Sequence, residues 1–190
     1  MIASDFQEIP NIFYSYQTQK PFSECLVCSC YLLDDQIYVI EKALKKHPGY
    51  TAQDVIFDYA ICLPCALKMR EEFSKDTLAK INAYFLEYVV TNPPSHQEDP
   101  INIDCCLDHC VVKKTPISEI TDYQIYAHFK GNKLIKSLPP YLISQAAIAE
   151  VIPLVSSETQ DVLNDFYDRH LSPDPAMLLP KHPSDQLVFI

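Results

Sequence analysis

An α+β protein with two tandem, related halves is what this sequence predicts, and three observations lead there. Two short cysteine pairs, Cys25-Leu26-Val27-Cys28 and Cys62-Leu63-Pro64-Cys65, lie in the first half. Strand-like runs give way to helical stripes on both sides of a proline-rich decapeptide. Residues of the first half also return at a constant offset: Tyr59 as Tyr141, Ile61 as Ile143, Ser74 as Ser156, Thr77 as Thr159 and Asn82 as Asn164.

Residues 1–24 mix Phe6, Phe13, Tyr14, Tyr16 and Phe22 with Pro10 and Pro21. Too many aromatics are present for a solvated tail, so an arm laid on the domain is expected. The first unit spans residues 25–90. Cys25–Cys28 reads as a tight turn, followed by a strand over Gln36–Ile40 and a turn at Lys45–Gly49. A second strand, Val55–Ile61, leads into Cys62 and a helix beginning near Pro64. The next helix starts at Ser74, a good N-cap, with Phe73 and Leu78 placed as a hydrophobic staple. Leu78, Ile81, Phe85 and Val89 make its apolar stripe.

Residues 91–100 form the linker, and residues 101–171 are a degenerate second copy. There Cys28 maps to Cys110 at the common offset, while Gln36-Ile37-Tyr38 matches Gln124-Ile125-Tyr126 at a larger one. Ser157-Glu158-Thr159-Gln160 reads as a capping box for the last helix. Residues 172–190 are proline-rich and end in Gln186–Ile190, an edge strand or a segment on the core.

Two Cys-x-x-Cys pairs about thirty residues apart have the spacing of a structural zinc site with four thiolates, Cys25, Cys28, Cys62 and Cys65. A thiolate at a helix start is favoured by the positive end of the macrodipole. Cys30, separated from Cys28 by the single residue Ser29, could take the place of Cys25 or Cys28, though with a shorter bite. In the second copy Ser144 and Ala147 stand at the Cys62 and Cys65 positions, so that copy is expected to be metal-free. Cys105-Cys106-Leu107-Asp108-His109-Cys110 could supply a second metal, with His128 or His170, or be a decayed remnant of small buried cysteines. The knuckle, hairpin and cysteine-bearing helix start over residues 22–75 resemble the treble-clef zinc-finger group. The resemblance implies a fold and no single activity. Ser29 departs from it, since such knuckles often carry glycine there.

The net charge of -10 is spread along the chain, which disfavours nucleic acid as a partner. Two glycines in all exclude a glycine-rich phosphate loop. No run of about eighteen apolar residues appears, and the N-terminus does not read as an export signal. Paired cysteines without export point to a reducing cytoplasm. The expected function is a non-catalytic protein-interaction module held by zinc, with Tyr59, Tyr84, Tyr141 and Tyr167 as candidates for a binding groove. The alternatives are a metal-dependent hydrolase or nuclease of treble-clef type, and a redox-responsive zinc switch.

Overall fold

The computed structural model describes residues 5–47, 49, 52–89 and 102–172. The linker 91–100 and the C-terminal segment beyond 172 therefore lie outside the described residues. Helices and one antiparallel sheet make up the fold. The six strands are β1 (Phe6–Glu8), β2 (Ile37–Lys46), β3 (Gln53–Cys62), β4 (Asp122–Lys130), β5 (Lys133–Ile135) and β6 (Tyr141–Ser144). They run in the order β1-β5-β4-β2-β3, with β6 also paired to β4. The helices are α1 (Leu63–Glu71), α2 (Lys75–Val89), α3 (Ile103–Cys106), α4 (Gln145–Val151) and α5 (Ser157–His170). Among the described residues no helix is long and apolar enough to cross a membrane.

Side chains alternate across a strand, and the two faces of β2 are covered differently. Tyr38 stacks on Phe129 at 5.3 Å, and Phe13 from the N-terminal segment meets Phe129 edge-on at 5.6 Å. That segment is tied down further by β1 pairing with β5, by Lys42 donating to the Tyr14 carbonyl at 2.5 Å, and by the Tyr16 amide donating to Asp58 at 2.7 Å. On the opposite face Glu41 lies beside Tyr59 of β3 and Tyr126 of β4, and Phe166 of α5 packs edge-on against Tyr59 at 5.7 Å. The lysines expected to turn the chain at 45–46 extend β2 instead. Lys46 donates to the Ile117 carbonyl at 2.8 Å and lies over the Tyr123 ring, so tertiary partners hold it in the strand.

The registers of the two halves correspond. Tyr38 faces Cys62 and Glu41 faces Tyr59; Tyr123 faces Ser144 and Tyr126 faces Tyr141. Tyr38 thus corresponds to Tyr123, not to Tyr126 as the Gln-Ile-Tyr match suggests. That match would put a residue on the wrong face of the sheet. The helix starts meet reciprocally: the Ser74 amide donates to Thr159 Oγ1 at 2.9 Å, and the Ser156 amide to Thr77 Oγ1 at 2.8 Å. Ser74 Oγ caps Thr77 at 3.1 Å. For α5 the cap is Ser156, which accepts from the Thr159 amide at 3.3 Å; the box proposed on Ser157 is displaced by one residue.

Candidate metal centre

The cysteine turn is built on the end of the β2–β3 hairpin. The Leu26 amide donates to the Ala60 carbonyl at 2.9 Å, which fastens the turn to β3. Within it the Cys25 amide reaches the Cys30 carbonyl at 3.0 Å and the Ser29 amide the Cys25 carbonyl at 2.9 Å. Closing so tightly requires a left-handed residue, and Ser29 takes that conformation at φ 56°. The other side of the site comes from β3 running into α1. Cys62 is the helix N-cap, Pro64 occupies the first turn, and the Cys62 amide donates to Cys25 Sγ at 3.4 Å.

These elements bring the sulfurs of Cys25, Cys28, Cys30 and Cys62 to within 4.8 Å of one another, a group fit to hold a metal ion. Cys28 Sγ and Cys62 Sγ are 3.7 Å apart. Cys65, one turn into α1, stands outside that mutual group, although Cys62 and Cys28 act on its thiol. The group thus takes Cys30 where the two pairs would supply Cys65. Cys30 is the member that pair spacing passes over. It enters because the turn folds back at Ser29 and returns the next side chain toward Cys62.

The electrostatics are those of crowded thiols without a cation. Cys28 is exposed, and the Cys30 amide donates to its sulfur; this brings its pKa down to about 6. Burial and the neighbouring thiolates push Cys30 up to about 12 and raise Cys62 and Cys65. One anionic sulfur discourages the next, and only a bound cation reverses that balance.

A turn of similar bonding lies in the second half, with Cys110 as its one thiol. The Cys110 amide donates to the Thr115 carbonyl at 2.9 Å, the Lys114 amide to the Cys110 carbonyl at 2.8 Å, and the Val111 amide to the Leu142 carbonyl at 2.8 Å. Lys114 has φ 57°, where Ser29 has 56°. The Ser144 amide donates to Cys110 Sγ at 3.3 Å, as Cys62 does to Cys25. Cys110 accordingly stands at the place of Cys25. Aligning it with Cys28 by the common offset misses a three-residue shift that only the hydrogen bonds reveal. Lys113 then falls at the Cys28 position and is ion-paired with Glu150 of α4. The Ser144 hydroxyl fills the remaining gap by donating to Cys110 Sγ at 3.3 Å.

Cys105, Cys106, His109 and Cys110 do not converge. Among the described residues no metal-binding group beyond the first-half cysteines comes together. Cys106 is buried, Cys105 is exposed, and His109 is paired with Asp108. His128 lies five residues along β4 from Tyr123, the partner of Ser144, roughly 17 Å away at strand rise. Of the four tyrosines considered for a groove, Tyr59 belongs to the core: it is 1% exposed and donates to Glu41 at 2.5 Å. Tyr141 stacks on Tyr126 at 5.1 Å, Tyr84 donates to Glu150 at 2.9 Å in an exposed bond, and Tyr84 and Tyr167 are half-buried. Searches against protein-family models, curated proteins and solved structures return no match for this chain.

Proposed function

We propose that the chain is a zinc-binding interaction module whose ion is structural, held by Cys25, Cys28 and Cys62 with Cys65 as the fourth thiolate. One observation carries the reading of a tetrahedral ion, and zinc is the ion that a closed four-thiolate site suits. A tetrahedral ion with bonds of about 2.3 Å sets its sulfurs about 3.8 Å apart, and Cys28 and Cys62 stand 3.7 Å apart. A disulfide would bring two sulfurs to about 2.05 Å. Four thiolates fill the tetrahedron and leave no position for substrate or water, which supports a non-catalytic role. The turn, the hairpin and the helix start that hold the sulfurs support the treble-clef reading.

The matching registers, the paired left-handed residues and the reciprocal Ser/Thr contacts support an internal duplication whose second copy has exchanged zinc for packing. The Lys113–Glu150 pair and the Ser144–Cys110 bond stand in for the ion there. The halves share one sheet through β2 and β4, so the module acts as a unit. A protein partner fits the face around the ion, where Val27 of the turn and Leu63 and Leu67 of α1 remain substantially exposed.

Metal analysis of the full chain tests the ion: one zinc per chain is expected, lost in Cys62→Ser. A chain purified without zinc, and unable to take it up, would overturn the reading. For the partner, proximity-labelled proteins should disappear in Leu67→Glu while its zinc content stays unchanged; an unaltered set of labelled proteins rejects that face.

A further inference from the structure

Resting on the zinc reading above, we propose that the centre has two interchangeable ligand sets, in which Cys25, Cys28 and Cys62 are constant and either Cys65 or Cys30 supplies the fourth thiolate. The argument is positional. The sulfur of Cys30 lies within 4.8 Å of those of Cys25, Cys28 and Cys62. Cys65 follows Cys62 by one turn of α1, and its thiol feels Cys62 and Cys28. A tetrahedral ion admits four thiolates, so one of the five thiols stays outside the set at any moment. Cys30 belongs to the mutual 4.8 Å group itself, which makes it a ligand candidate by the same geometry as the others.

Exchange between the sets needs no reactant beyond water. The Cys30 thiol gives its proton to water as its sulfur bonds to zinc, and the departing Cys65 thiolate takes one up from water; the ion keeps four sulfurs, and the charge of the site is unchanged. The consequence is a zinc site that is closed yet exchangeable, with one thiol always open to an acceptor or an electrophile.

The test uses full-length chains loaded with zinc or with cobalt as a spectroscopic substitute. Cys30→Ser and Cys65→Ser should each retain one ion per chain and the thiolate-to-cobalt charge-transfer intensity of the parent. The double variant should lose affinity by about 100-fold or more, beyond the 10–100-fold typical of losing an outer-shell partner. If Cys65→Ser alone loses the ion, or Cys30→Ser alone does, the ligand set is fixed and the inference is overturned while the zinc reading stands. A parent chain that binds no ion overturns both. A measurement on the unsubstituted chain guards against misfolded variants: brief alkylation of the zinc-loaded protein followed by peptide mapping should label Cys30 and Cys65 each in part. Label confined to one of the two overturns the exchange.

Discussion

Glu41 has no solvent exposure and sits where the two halves join, so its partners report whether the halves share one core. Its carboxylate accepts from Tyr59 at 2.5 Å and from Tyr126 at 3.1 Å, and Tyr126 also donates to Gln124 at 2.6 Å. Removing the Tyr59 hydroxyl from the native protein takes away a buried hydrogen bond, a cost of about 0.5–1.5 kcal/mol. In Glu41→Leu the same hydroxyl is buried without that acceptor, which costs about 1–3 kcal/mol. Tyr59→Phe should therefore destabilise the parent but stabilise Glu41→Leu, a reversal of sign with a coupling of about 1.5–4.5 kcal/mol. Tyr126→Phe should destabilise both backgrounds, with no reversal, because Gln124 still accepts its hydrogen bond when Glu41 is gone. Urea unfolding in zinc-replete buffer measures this, read from midpoints at constant slope. Additive losses, with Tyr59→Phe equally harmful in both backgrounds, would refute the argument.

Three further outcomes are expected. Gly131→Ala places a Cβ 2.3 Å from the Asp34 carbonyl oxygen at φ 56°, so it should cost about 1–3 kcal/mol in backbone strain before the clash; calorimetry should show Tm down by at least about 2–4 °C. Lys113, and then Tyr84, hold the Glu150 carboxyl below its ordinary 4.5. Because the folded value lies below the unfolded one, the contribution of this link is complete above 4.5 and fades as pH falls through the lowered value. Carboxyl-detected NMR titration should give a low Glu150 midpoint in the parent that returns toward the ordinary range in Lys113→Ala. Chelation of the ion should abolish hydrogen-exchange protection in the Cys25–Cys30 turn while the amides of β2 and β4 stay protected; equal loss in both regions counts against a local structural role.

Much of the first half is legible in the sequence because short-range chemistry dictates it. Pro64 opens α1, Ser74 caps α2, and paired cysteines announce their turn. What depends on pairing at a distance is not legible. Lys45 and Lys46 look like a turn until β4 and the Ile117 carbonyl are placed beside them. Tyr59 has the composition of an interface residue, and only the neighbouring strand shows that its hydroxyl serves Glu41. The bonding around Cys110 resembles that around Cys25 and not Cys28, three residues away from the offset that matches the helix caps, and residue identity cannot place that shift. Cys30 is set second to the paired cysteines because two-residue spacing is the expected bite, whereas the left-handed Ser29 makes a shorter one possible.

Strands β2 and β4 pair along nine positions, yet roughly 85 residues separate the end of one from the end of the other. A ribosome adding about 5–20 residues per second needs about 4–17 s to cover that stretch. Throughout that interval the nascent first half carries an open strand edge, Ile37–Lys45, competent to capture the same edge from a neighbouring nascent chain. Crowded polysomes are thus where this protein is most exposed to swapped or aggregated products, and a chaperone that shields strand edges would raise its yield more than any stabilising change in the finished fold.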